Sequence, residues 1–243
     1  MKRSILILAS LLFSFNLANA QFWKNETVKG NGNTTIENRS TSNYDEVYLV
    51  GSMDVELVAG KEGEIKVEAE SNLLEHIITE VKNGTLKIRP ADKINLAPSQ
   101  NKSIKVTVPF KDINEVKLTG SGDLWNSDPI RANSFETSLT GSGNLNLNLD
   151  VDSLESNITG SGDTMLSGKT NSFECKVTGS GDFQAFDLKA EDVKATVMGS
   201  GDIEVFASVS LDAKIMGSGD IHYKGNPEKQ DFKTMGSGDI TSK

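Results

Sequence analysis

Phe173-Glu174-Cys175-Lys176-Val177-Thr178-Gly179-Ser180-Gly181-Asp182 is the stretch that decides the fold. Phe173, Cys175 and Val177 fall two apart, the period of a strand with one buried face, and a glycine-rich tetrapeptide follows at once. The tetrapeptide recurs, as GSGD from Gly120, Gly160, Gly179, Gly199, Gly217 and Gly236 and as GSGN from Gly141. Successive copies lie 21, 19, 19, 20, 18 and 19 residues apart. The apolar face recurs with it, as Leu154, Ser156 and Ile158, as Val193, Ala195 and Val197, and as Leu211, Ala213 and Ile215.

A unit of about 19 residues holding two short strands and a turn cannot bury its own apolar face, whereas stacked copies bury a continuous column. The prediction is an all-β chain whose residues 111–243 form a right-handed parallel β-helix, or β-solenoid, of about seven coils. A sandwich has no reason to keep one tetrapeptide in register. Upstream, residues 21–43 are rich in Asn, Thr and Gly and read as an extended lead-in. Residues 44–110 read as an N-terminal β region of hairpins. Val55 and Leu57, Gly60 to Gly63, then Ile65, Val67 and Ala69 give strand, turn, strand. Val81, Asn83-Gly84, Leu86 and Ile88 give a second hairpin, because Asn-Gly suits a turn with positive φ. Gly51-Ser52-Met53-Asp54 resembles a degenerate GSGD, so residues 44–243 are expected to form one continuous stack.

Counting from the inward apolar positions places both glycines of each motif inward: Gly120 and Gly122, Gly141 and Gly143, Gly160 and Gly162, Gly179 and Gly181, Gly199 and Gly201, Gly217 and Gly219, Gly236 and Gly238. A missing side chain there lets the backbone turn or approach a neighbour. Ser and Asp then face outward, and stacking aligns Asp123, Asn144, Asp163, Asp182, Asp202, Asp220 and Asp239 into an acidic column, the candidate binding site. Carboxylates one coil apart repel. Relief would come from turn N–H groups, as at Asx residues, from a cation such as Ca²⁺, or from a partner's basic groups. The nine-residue glycine-aspartate spacing of Ca²⁺-binding solenoids is absent, and no cofactor is expected.

Catalytic patterns are missing. His76 and His222 stand in different regions, and no GxSxG, HExxH or CxxC occurs. Gly168-Lys169-Thr170 imitates the tail of a phosphate-binding loop, but the leading glycine would have to be Asp163. Cys175, the only cysteine, reads as a small buried hydrophobe and excludes both an internal disulfide and a lipoprotein anchor. A column of identical carboxylates suits a repeated surface better than a catalytic centre, where acid and base must differ.

Lys2 and Arg3, an apolar run from Ile5 to Leu17 and Ala18-Asn19-Ala20 read as a signal peptide over residues 1–20. No later segment reaches the length of a membrane span. The chain holds 25 basic and 34 acidic residues. Loss of the leader takes the net charge to about −11, which argues against nucleic-acid binding.

The leader, the strand-turn-strand region ending near Asn83-Gly84-Thr85-Leu86 and the GSGD copies preceded by Leu/Val-Thr or Val/Ile-Met resemble the family of exported Bacteroidetes proteins called putative auto-transporter adhesin, head GIN domain. The likeness covers residues 44–243 and implies a stack of parallel strands without established catalytic residues. The sequence ends four residues after Asp239, leaving no room for a membrane barrel, so periplasmic residence is expected as readily as surface or secreted location. The expected function is a non-catalytic adhesin-like or structural module contacting a cell-envelope or surface protein or glycan, with homo-oligomerisation through the last coil. The alternatives are a polysaccharide-processing solenoid and a periplasmic binder of lipid or another small molecule.

Overall fold

From Asn144 to Gly217 each coil is one unbroken strand rather than two short ones: in the computed structural model, which describes residues 25–243, the strands Asn144–Gly160, Thr164–Gly179, Phe183–Gly199 and Ile203–Gly217 are separated only by Ser-Gly-Asp, while the coil after them divides into Ile221–Lys224 and Lys229–Gly236. The leader read at residues 1–20 lies outside the described residues. Neighbouring coils pair in parallel, with Leu154 opposite Phe173, Phe173 opposite Val193 and Val193 opposite Leu211. Apart from a bulge at Phe186, alternation breaks at one corner of each strand, where consecutive residues face outward: Asp152-Ser153, Asn171-Ser172, Glu191-Asp192 and Ser208-Val209-Ser210. The inward phase resets there, so one strand can supply two runs of core residues.

The inward columns are buried throughout these coils. Leu145, Thr164, Phe183, Ile203 and Ile221 form one; Leu154, Phe173, Val193 and Leu211 form another. A third runs Thr137, Ser156, Cys175, Ala195, Ala213, with the Thr137 and Ser156 hydroxyls satisfying each other at 2.5 Å. Each buried Val, Leu, Ile or Phe contributes roughly 1.5–3 kcal/mol relative to exposure. Repeated coil after coil, that term stands in for the disulfides this chain lacks. The 20-residue interval absorbs its extra residue as a bulge at Phe186, opposite Met165–Ser167.

The N-terminal region joins the same stack. Glu46–Gly51 pairs in parallel with Glu115–Gly120, bringing Gly51 opposite Gly120, so Gly51-Ser52-Met53-Asp54 occupies the place of a motif copy. The hairpin Ile77–Lys82 to Thr85–Pro90 is antiparallel, with Asn83 at φ 53° and Gly84 at φ 85°, as its turn requires. The other expected hairpin is different. Asp54–Ala59 and Glu64–Glu70 are both strands, but Lys105–Phe110 lies between them, parallel to the first and antiparallel to the second. Strand propensity marks a pleated, half-buried segment and does not choose its partner.

Within the lead-in, Thr34–Ser40 covers the free edge of Glu64–Glu70, and Glu26–Lys29 pairs with Ile94–Ala97. Two side chains fasten this end. Arg39 donates to the Leu74 and Ile77 carbonyls at 2.7 and 2.5 Å. The carboxylate of Glu70, 1 % exposed, accepts the Gly32 N–H, the Ser99 N–H and the Ser99 hydroxyl, and the two Ser99 bonds above all hold its pKa below the usual carboxylate range. Among the described residues no helix is long and apolar enough to cross a membrane.

Candidate functional site

The tetrapeptide is a hydrogen-bonded corner. Ser161 and Gly162 both donate their N–H groups to the Gly141 carbonyl, at 2.9 and 3.0 Å, and the same pair of bonds recurs from Ser180 and Gly181 to Gly160 and from Ser200 and Gly201 to Gly179. The next residue donates to the following coil, as Leu145 N–H does to Asp163 O at 2.9 Å and Phe183 N–H to Asp202 O at 2.9 Å. The two glycines serve different needs. The second of each pair is buried and inward, as expected; the first is half-buried, or exposed at Gly236, and takes a positive φ, 128° at Gly160 and 129° at Gly179. The inward assignment therefore holds for Gly122, Gly143, Gly162, Gly181, Gly201, Gly219 and Gly238, while Gly120, Gly141, Gly160, Gly179, Gly199, Gly217 and Gly236 turn the chain.

The aspartates do align outward, and the structure shows what relieves them. Asp163 Oδ1 accepts the N–H of Asp182 at 3.0 Å, Asp182 that of Asp202 at 2.7 Å, Asp202 that of Asp220 at 2.7 Å and Asp220 that of Asp239 at 2.8 Å. Each donor belongs to the next coil, not to the carboxylate's own turn as an Asx reading requires. The ladder begins at Asp54, which accepts the Asp123 N–H; burial raises the Asp54 pKa and that bond opposes the rise. Asn144 is a rung of the same ladder. Its amide donates to Asp123 at 2.8 Å while its oxygen faces the Asp163 N–H at 3.4 Å, so its difference from the other copies is structural.

A second acidic column lies five residues before each motif, and the sequence reading passed over it. Glu46, Glu115, Glu136, Glu155 and Glu174 stand opposite one another on consecutive strands. Its next member is Lys194, which bridges Glu174 at 2.6 Å and has its pKa raised by that bond. Lys117 holds Glu115 at 2.5 Å, and Thr85 donates to Glu46 at 2.5 Å. Glu136 has no such partner among the described residues. Partial burial, then the Glu115 charge, pushes its carboxyl above the usual range. Beside it opens a groove of about 530 Å³ lined by Glu46, Asn114, Glu115, Ala132, Asn133, Ser134 and Glu136. The spacing was legible, but a scan following the apolar positions skips the outward ones between them.

The remaining sequence candidates stay apart. Cys175 is buried, and desolvation raises its thiol pKa, so it is a core residue. His76 lies beside Glu75 at 3.8 Å, and His222 meets Thr241 at 2.7 Å on a different strand. Lys169 reaches Asp150 at 3.3 Å. Among the described residues no group of three or more His, Cys, Asp or Glu could hold a metal ion.

Fold and surface together define a class: an all-β solenoid whose outer face repeats the same charged residues coil after coil. The chain belongs to the family described as putative auto-transporter adhesin, head GIN domain, which matches over residues 43–227. Its fold is similar to the crystal structure of a putative lipid binding protein from Parabacteroides distasonis ATCC 8503, with 32% identity, a TM-score of 0.75, 90% of this chain covered and 100% of that one. It is also similar to a putative adhesin from Bacteroides fragilis NCTC 9343, with 21% identity, a TM-score of 0.82, and 89% and 100% covered. A putative adhesin from Parabacteroides merdae ATCC 43184 has 21% identity, a TM-score of 0.68, and 89% and 99% covered. At 21% identity these two support the fold alone. No curated protein matches the chain.

Proposed function

We propose that this chain is an exported, non-enzymatic adhesin-like module of the cell envelope or surface, and that its working face is the glutamate column rather than the aspartate ladder. The observation carrying this reading is the in-register row of Glu46, Glu115, Glu136, Glu155 and Glu174 beside an open groove. Asp163, Asp182, Asp202 and Asp220 each already give one carboxylate oxygen to a backbone N–H of the next coil, so the fold itself uses this column. Among the described residues Glu136 makes no ion pair, since the nearby Lys117 is held by Glu115 and only partly offsets the like charges of Glu115, Glu155 and Glu46; a partner's Lys or Arg would relieve them. The neighbour called a lipid binding protein raises a second reading, but the groove offers carboxylates, amides and a hydroxyl, a lining suited to cationic and polar groups rather than acyl chains.

The test is co-sedimentation of the purified chain with envelope fragments of the producing cell, at salt from about 0.1 to 1 M, over which the screening length falls from about 10 to 3 Å. Binding that weakens with salt and is lost in the triple variant Glu136→Gln, Glu155→Gln, Glu174→Gln supports the reading. Binding indifferent to salt and to the substitutions overturns it.

A further inference from the structure

Outward residues just before the motif form a third column. From the N-terminal end it runs Val50, Thr119, Thr140, Thr159, Thr178, Met198, Met216, Met235. Threonine is an ordinary choice for an outward strand position, since it is β-branched and its hydroxyl meets water. Methionine is not; with no core to fill, it places a thioether and its methyl group against solvent. Yet three of the chain's six methionines fall here, on three successive strands, directly opposite one another. Met198 and Met216 are half-buried, and Met235 is 57 % exposed.

From this juxtaposition we infer that Met198, Met216 and Met235 form a site for a soft monovalent cation of the Cu(I) or Ag(I) type. Adjacent strands of a parallel sheet lie about 4.8 Å apart, so three stacked flexible side chains can turn their sulfurs toward one point above Met216. Thioether sulfur selects soft ions and gives little to Ca²⁺ or Mg²⁺, which separates this column from the carboxylate columns. The nearby charges are mixed. Lys233, two residues before Met235, is paired with Asp231 at 2.8 Å, Lys214, two residues before Met216, lies opposite Lys233, and the ladder aspartates follow each methionine by four residues. Cys175, the one softer sulfur, is sealed in the core.

The full chain carrying ¹³C-methyl methionine would be titrated with Ag(I) in chloride-free buffer while its methyl resonances are followed. Three signals should move together and saturate at about one ion per chain. Met165 is the internal control: it is 45 % exposed, and its strand neighbours are Asn146 and Gln184, so its signal should stay still. Met216→Thr installs the residue found at this position in four earlier coils, so the fold is kept. It leaves the other two sulfurs two coils, roughly 10 Å, apart, and affinity should drop at least about tenfold. Equal movement of Met165, unchanged affinity in Met216→Thr, or no saturable shift at all would each overturn the site, the last leaving the column as a purely apolar surface.

Discussion

At Gly181 a β-carbon would lie 2.0 Å from the carbonyl oxygen of Gly162 in the coil below, far inside contact distance. The obstacle is backbone, so it cannot swing aside, and the same holds at Gly162 above Gly143. Gly181→Ala should therefore destabilise by about 3 kcal/mol, a lowering of the thermal midpoint by about 6–12 °C in calorimetry. Ser180→Ala, at an exposed position whose contribution is its N–H, should change little. Glu136 gives the opposite expectation. A carboxyl whose folded pKa lies above its unfolded value holds its proton more tightly when folded, so its charge opposes folding above that pKa and ceases to do so as the pH falls through it. Glu136→Gln should raise the midpoint at pH 7 by about 1–2 °C, and the gain should vanish below about pH 4, where the glutamate is protonated in both states. A midpoint that falls at pH 7 would mean that Glu136 makes a favourable contact.

Between coils, the aspartate ladder supplies one bond per step. Asp202 accepts the Asp220 N–H at 2.7 Å through a single carboxylate oxygen. Asp202→Asn keeps an acceptor there, as Asn144 does naturally, and should be nearly neutral. Asp202→Ala leaves the N–H to water or to nothing and should destabilise by about 1 kcal/mol in urea unfolding. Equal losses in the two variants would place the stabilisation in the charge rather than in the bond. This element was half-legible. Seven copies of a motif, six with an outward Asp and one with Asn144, announce a column, because inward and outward positions alternate with period 2 and the period is kept. The identity of the donor was hidden, since it depends on how far one coil sits above another, and no residue type reports that height. The same blindness explains the missed insertion of Lys105–Phe110 between Asp54–Ala59 and Glu64–Glu70. The glutamates at the fifth position before the earlier copies of the motif, from Glu46 to Glu174, were on the page of the sequence, and attention to one face of the strand left the other unread.

Across the whole molecule the two ends differ. The N-terminal end is covered by Thr34–Ser40 and the Ile77–Pro90 hairpin and fastened by Glu70 and Arg39. At the other end Lys229–Gly236 is exposed along its full length, and the inward columns change character there, with Gln230 following Leu211, Thr234 following Ile215, and Phe232, 38 % exposed, leaning on Tyr223. Hydrogen exchange should be slowest in the strands from Asn144 to Gly217 and fastest in Lys229–Ser242, read by mass spectrometry of peptides from the intact chain. Uniform protection would imply that the last coil is shielded in solution.

The ladder has one more consequence. From Asp163 to Asp239 each rung is a contract between one coil and the next alone, with the carboxylate below and the N–H above, so a whole coil of that stretch could be excised or duplicated between two successive glycines and every rung would still find its counterpart. Girth is then held constant by the interior while reach is adjustable. A lineage could lengthen or shorten this protein like a ruler with repeated graduations, altering its length without redesigning the surface it presents.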